Sequence, residues 1–281
     1  MDHIGEFFPD SPIWFRWLGR LAAPLFFYAL AVGFQHTRNR KKYLLRLYLA
    51  NVGMVFFNQI MCMLQRKLDY VAYQPKNHNI FTTLFCAGVL ICIWENRKEK
   101  KKFFTYIGIY IFWQAMVMGL AILAEAFDYV WRGNALLQTV LRTNYIFPLL
   151  GGIWDAEGGV FFIVLGVWLY CAVENKWKLA LRYILFCGAY MFMCQGDILY
   201  RIMSRFSFWG YHKLADVIYF GSSFVGIPLG TSDLSLLTEF YQWMMIGALP
   251  IMLSCNGKRG KSLKWLFYAA YPLQFLVLYG I

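Results

Sequence analysis

Residues 79–125 read NIFTTLFCAGVLICIW, then ENRKEKKK, then FFTYIGIYIFWQAMVMGLAILAE. Two long apolar runs flank one short cluster of cations. A run of about 18–23 apolar residues, at about 1.5 Å per residue in a helix, crosses a hydrocarbon core about 30 Å thick. The pattern predicts two membrane helices joined by a basic turn, and it recurs along the chain. Leu18–Gln35 and Tyr43–Leu64 flank Arg38–Lys42; Gly158–Val173 and Leu179–Gln195 flank Lys176 and Lys178; Leu236–Cys255 and Leu263–Ile281 flank Lys258, Arg259 and Lys261. Composition agrees. The chain is 60% apolar, 20% aromatic and 15% charged, against about 45–50% apolar and 25% charged for soluble domains. So few charges cannot cover a water-facing surface, which excludes a soluble globule and a disordered chain.

The expected architecture is all-α, a polytopic transmembrane helical bundle forming a single domain over 1–281. Eight full spans are expected, preceded by a truncated first helix over residues 1–8 that ends at Pro9–Pro12. Asp2 and Glu6 exclude a signal peptide, which needs a basic leader and a small-residue cleavage site. Two longer connections, about 126–157 and 197–235, carry the short apolar pieces Val140–Leu150 and Ala215–Val225, whose length suits re-entrant or interfacial helices. The count is therefore eight to ten. No repeat or low-complexity segment divides the chain.

The formal charge is +12. Its cations sit between apolar spans and not on one face, which argues against a nucleic-acid partner. Placing the basic turns on one side collects 17 of the 27 cations there with three acids, and leaves ten cations with twelve acids on the other. The basic turns are therefore expected to be cytoplasmic in a multi-pass plasma-membrane protein, with the C-terminus outside. The seven cysteines are odd in number and mostly inside apolar runs, and they read as reduced packing residues.

Ionisable residues at membrane depth are costly and mark cavities. His3, Glu6, Arg20, Glu125, Asp197, Arg201 and Glu239 all fall toward the outer helix ends. His3 lies about 9 Å below the Pro9 turn if helical, and Arg20 enters the antiparallel neighbour at a comparable depth. Glu6, at i+3 from His3, is on the same helix face and can orient the imidazole, whereas Asp2 points away. An imidazole there is a candidate general base or a helix-end residue wetted by headgroups. Arg20 is a candidate oxyanion or phosphate partner, or half of a structural ion pair.

At the opposite ends, Gln35–Arg46 offers cations to phosphates, with Thr37 or Asn39 able to cap the next helix; equally, it can meet anionic lipids. Asn51 and Asn58 share a helix face, with Gly53 permitting close approach, and with Gln59 and Gln35 they read as interhelical hydrogen-bonding groups. His78 and His212 lie in outer connections. No metal-ligand spacing occurs, so no metal is expected. Gly151-Gly152 and Gly158-Gly159 flank Asp155 and Glu157 and read as hinges of a re-entrant turn.

Asp2-His3-Ile4-Gly5, Gly19-Arg20-Leu21-Ala22-Ala23-Pro24-Leu25-Phe26, Gly33-Phe34-Gln35-His36-Thr37-Arg38-Asn39, Lys42-Tyr43 and Arg46-Leu47 together resemble the opening of the TraX family. Asn79-Ile80-Phe81-Thr82-Thr83-Leu84 resembles a later family block, as does the stretch from Phe267-Tyr268 to Tyr271-Pro272-Leu273. The resemblance implies a bacterial inner-membrane protein related to the integral membrane acyltransferases, its namesake acetylating the N-terminus of a conjugative pilin subunit. It implies acetyl-CoA or another acyl-CoA as donor on the cytoplasmic side, His3 as base, Arg20 as charge stabiliser, and His36, Arg38 and Arg46 as donor contacts. Asp197, Glu239 and Gln274 are the residues then expected to meet a peptide, pilin or glycan acceptor, with the acyl group threading a channel from donor to base. The chain departs from the family pattern twice. Met1 stands directly before Asp2 where members carry a longer apolar lead, and Gln274 stands where the terminal block tends to carry a histidine. Gln274 exchanges hydrogen bonds but takes no proton at neutral pH, so a site relying on that position as base would be inactive. Two other classes remain open: a transporter, which predicts inverted repeats and matched broken helices, and a non-catalytic component of a pilus or secretion assembly.

Overall fold

A computed structural model of the chain describes residues 4–5, 8, 10–67, 79–131, 143–154, 156–195, 201, 205, 211–227, 235–256 and 264–280. Every regular element among them is helical. In order these are α1 (Trp14–Gly19), α2 (Ala22–His36), α3 (Arg40–Lys67), α4 (Ile80–Glu95), a 3-10 turn (Asn96–Lys98), α5 (Lys100–Trp131), α6 (Thr143–Leu149), α7 (Gly159–Tyr170), α8 (Lys176–Gln195), α9 (Tyr211–Val225), a 3-10 helix (Tyr241–Gly247), α10 (Ala248–Ser254) and α11 (Lys264–Gly280). Among the described residues five stretches are long and apolar enough to cross a membrane: Trp14–His36, Arg40–Met61, Ile80–Lys98, Lys100–Ala124 and Lys176–Gln195. Only 17% of the apolar window of α5 is buried. Phe104, Ile109, Ile111, Phe112 and Ile122 face outward along it, a surface that hydrocarbon covers and water does not. The protein is membrane-embedded.

The expected spans at 158–173 and 263–281 emerge as the shorter apolar helices Gly159–Tyr170 and Tyr268–Leu278. The expected span at 236–255 is not one α-helix. A turn over 236–239 leads into the 3-10 helix, and α-helical bonding restarts at Ala248. Pro250 then sits in the first turn of α10, where a missing N–H costs nothing.

The chain divides into two compact units, residues 36–163 and residues 1–35 with 164–281. In the first, α3 packs along α4, and α6 packs against both α3 and α5. Leu47, Met54, Phe81, Leu84, Ile91 and Val117 are buried there. In the second, α8 packs against the 3-10 helix and α10, and α1 also meets the 3-10 helix; Leu179, Tyr183, Met245 and Met252 are buried.

Asparagine side chains cap the starts of α3 and α8. Asn39 Oδ1 accepts the Lys42 N–H (2.9 Å), so it is Asn39 whose side chain caps α3. Asn175 Oδ1 accepts the N–H groups of Trp177 and Lys178 (3.0 and 3.1 Å) ahead of α8. Both relieve orphan donors of a first turn.

Helix α6 ends in a Schellman turn. Gly151 takes φ 65°, its N–H reaches Pro148 O (3.1 Å), and the Gly152 N–H reaches Phe147 O (2.6 Å). Four consecutive carbonyls at this end then receive donors from α3 and α5. Asn51 Nδ2 donates to Pro148 O (2.6 Å) and Tyr48 Oη to Leu149 O (2.7 Å). Trp113 Nε1 donates to Leu150 O (2.9 Å) and Gln114 Nε2 to Gly151 O (3.1 Å). Gln114 Oε1 also accepts the Ile153 N–H (3.0 Å), and Thr83 Oγ1 donates to Glu157 O (3.0 Å). A short interrupted helix buried away from water needs such partners.

Asn51 is fully buried, and its Oδ1 accepts from Asn79 Nδ2 and Thr82 Oγ1, both at 2.7 Å. This is the interhelical bonding expected of that amide. The close approach expected at Gly53 is absent, since a Cβ there would meet nothing within 4 Å. At about 100° per residue, Gly53 lies roughly opposite the Asn51 face.

Candidate functional site

The unit built from residues 1–35 and 164–281 carries Arg20. Its backbone N–H closes α1 on Arg16 O and Trp17 O, both at 3.2 Å, which turns the side chain toward the segment 235–247. Arg20 Nη1 donates to Gln242 Oε1 (3.0 Å), and the guanidinium lies 5.0 Å from the centroid of the Tyr241 ring. Its charge also lies within electrostatic reach of the Tyr190 hydroxyl on α8. The corner is braced by Trp17 Nε1 donating to Leu237 O (2.8 Å), Tyr183 Oη donating to Met245 O (2.6 Å), and Tyr190 stacked on Phe240 (6.4 Å). A guanidinium held by an amide and an aromatic face has its direction set. That arrangement suits stabilising a negative oxygen.

Glu239 lies on the same segment and is exposed, and its Oε2 accepts the Ser235 N–H (2.8 Å), capping the turn locally. Gln274 is half-buried on α11, where the buried rings of Tyr271 and Phe275 pack edge-on against each other (5.3 Å). His3, Glu6 and Asp197 lie outside the described residues, as do Asp2, His78 and Asp155. Of the segment around His3, Ile4 and Gly5 are described. A Cβ on Gly5 would come within 2.9 Å of the Arg16 side chain, so Gly5 itself lies directly against α1.

The other unit carries the basic corner. His36 ends α2 exposed, Arg38 is exposed in the bend, and Arg46 is exposed on α3 with its guanidinium 5.6 Å from the Tyr43 ring centroid. Beside them Arg40 forms a bidentate pair with Glu95, Nη2 to Oε1 at 2.9 Å and Nε to Oε2 at 3.4 Å. Arg40 also donates to Thr37 O, tying the bend to the helix it precedes. Arg40 therefore fastens α3 to the end of α4, and Arg38 and Arg46 present their charge outward. Exposed cations around a stacked tyrosine suit phosphates.

Several of these residues have no clear signal of their own in the sequence. Gln242, Tyr241 and Tyr190 are polar or amphipathic positions inside apolar runs, and only Gln242 stands out there as a neutral amide. Glu95, the last residue of α4, is an acid at the edge of a basic cluster, but nothing in the sequence marks it as the Arg40 partner. Among the described residues no group of three His, Cys, Asp or Glu side chains is arranged to hold a metal.

A family model described as TraX protein matches residues 1–190. No curated protein and no solved structure matches the chain.

Proposed function

The chain belongs to the TraX family, and from that premise we propose that it is a membrane-bound acyltransferase, a CoA-dependent N- or O-acetyltransferase. It would move an acetyl or other acyl group from cytoplasmic acyl-CoA to an amine or hydroxyl of a peptide, pilin or glycan acceptor at the membrane. The family match carries this reading. It spans Arg20 and Tyr190 of the Arg20 corner, the basic corner and the whole of the 36–163 unit.

In the proposed step His3, oriented by Glu6, takes the proton from the attacking amine or hydroxyl. The new bond forms at the thioester carbonyl, the negative charge that develops on its oxygen is balanced by Arg20, and the carbon–sulfur bond breaks. The proton passes from the imidazole to the departing CoA thiolate. His36, Arg38 and Arg46 hold the phosphates of the donor; their exposure and the Tyr43 ring beside Arg46 support this role. Asp197, Glu239 and Gln274 contact the acceptor. The Schellman end of α6, with its carbonyls satisfied from α3 and α5, supports reading residues 143–158 as a re-entrant segment. Three further short or apolar segments, α7, α9 and α11, bring the count toward eight to ten membrane helices with the basic turns cytoplasmic.

Titrating the purified protein with acetyl-CoA while following thermal unfolding tests the donor. A ligand at 100 times its Kd stabilises by about 2.7 kcal/mol, so the midpoint should climb with concentration. The His3→Ala variant should keep that climb and lose acyl transfer or acyl-CoA hydrolysis by at least about a hundredfold, the usual contribution of a general base. A flat midpoint well above micromolar acetyl-CoA would move the reading to a non-catalytic member of a pilus assembly. An unchanged rate in His3→Ala would remove His3 from the chemistry.

A further inference from the structure

The basic corner holds more charge than the donor reading uses. The Arg40–Glu95 pair brings the start of α3 to the end of α4, and one 3-10 turn later α5 begins. Trp94 packs edge-on against Phe103 (6.3 Å), folding the start of α5 back toward the end of α4. Two clusters far apart in sequence therefore share one end of this unit: Lys41 and Lys42 from α3, and Arg97, Lys98, Lys100 and Lys101 from the turn and α5, all exposed. Arg97 is laid over the Trp94 ring at 5.3 Å, and Lys102 is paired with Glu99 at 2.7 Å.

The first turns of α3 and α5 hold three cations each and no acid. A helix N-terminus is already partly positive, so cations there repel it by a few tenths of a kcal/mol each. An anion from outside the chain relieves both. One turn further along the same helices the surface becomes exposed and apolar, with Leu45 and Leu49 on α3 and Phe104, Ile109 and Ile111 on α5. A ligand matching both halves carries an anionic phosphate head and hydrocarbon tails.

We propose that Lys41 and Lys42 of α3 and Lys100 and Lys101 of α5 form one binding site for the phosphate of an anionic phospholipid, whose acyl chains lie along the exposed faces of the two helices. The Arg40–Glu95 pair sets the spacing of the two cation clusters. The site lies beside Arg38 and Arg46 and shares their phosphate chemistry, but its apolar flanks fit a lipid and not a soluble thioester carrier.

The test uses the full chain in nanodiscs of phosphatidylcholine, with and without phosphatidylglycerol, and follows lipid retention by native mass spectrometry and unfolding by heat. Phosphatidylglycerol should remain bound and raise the midpoint. Replacing all four lysines by glutamine should weaken retention about fivefold per cation removed, leaving the midpoint in phosphatidylcholine unchanged. Replacing them by arginine should preserve retention. Equal retention by the glutamine variant and the parent overturns the proposal. So does a midpoint that acetyl-CoA raises in phosphatidylcholine alone and that the glutamine variant loses, because the lysines then serve the donor. A variant that unfolds in phosphatidylcholine also overturns it, since the lysines would then be structural. None of these readouts needs acyl transfer, so the lipid site and the proposed enzyme fail separately.

Discussion

Gln114 shows how one side chain lets a membrane protein interrupt a helix. It sits in the apolar run of α5, is 4% exposed, and pairs both faces of its amide with the chain beyond α6. Its own carbonyl also accepts Trp154 Nε1 (3.0 Å). Replacing it by leucine keeps the bulk but orphans the Ile153 N–H and leaves the Gly151 carbonyl only the Cys86 thiol (3.6 Å). An orphaned buried polar group costs about 1–3 kcal/mol, so Gln114→Leu should lower stability by about 2 kcal/mol or more. Unfolding in detergent should show this, and an unchanged midpoint would mean that water replaces the amide. As an amide in a greasy run Gln114 is conspicuous in the sequence. Its partner is not, because a backbone carbonyl carries no residue signature. The same holds for Arg20, whose charge draws notice at once while Gln242, more than two hundred residues away, becomes its neighbour only through folding.

Among the elements, α3 and the α6 turn put glycine to opposite uses. Gly151 has φ 65°, and a Cβ there would come within 2.8 Å of the Phe85 ring. A side chain in the left-handed region costs about 1–2 kcal/mol before any clash. Gly151→Ala should therefore destabilise by at least that much. Gly53, in the helical interior of α3 with open space around it, predicts the reverse. Removing backbone freedom there should stabilise by about 0.5–1 kcal/mol. Comparing the two unfolding midpoints checks both signs, and a drop for Gly53→Ala would show that something outside this chain packs on that face. The helical runs of α3, α4, α5 and α8 are legible because uniform apolarity over their length leaves the backbone no other way to satisfy itself in lipid. The break of 236–255 into a turn, a 3-10 helix and α10 is less so. Glu239, Gln242 and Pro250 interrupt its apolarity without telling where the helix type changes, and Tyr183 and Arg20 bond to the segment from distant positions.

For the whole molecule, the proposed topology places the basic ends inside and the Arg20 corner's segment outside. Single cysteines in a background lacking the seven native ones read this directly. Glu239→Cys should react with a membrane-impermeant maleimide on intact cells. Lys98→Cys should react only after the membrane is opened. Reaction of Lys98→Cys on intact cells would invert the topology and remove His36, Arg38 and Arg46 from the reach of cytoplasmic acyl-CoA, even with the family unchanged.

The amino-acid sequence alone determined that this is a helical membrane protein, where its long apolar runs lie, where the cations gather and which family its blocks resemble. These follow from length, transfer free energy and local pattern, each of which is summed residue by residue. Folding alone decided that Arg40 locks onto Glu95 while Arg38 and Arg46 stay free to the surface, that Gln242 and Tyr241 frame Arg20, and that four side chains close the end of α6. Each of those rests on a pairing between distant positions. In an apolar chain many pairings satisfy the same composition, and only the packed geometry selects one.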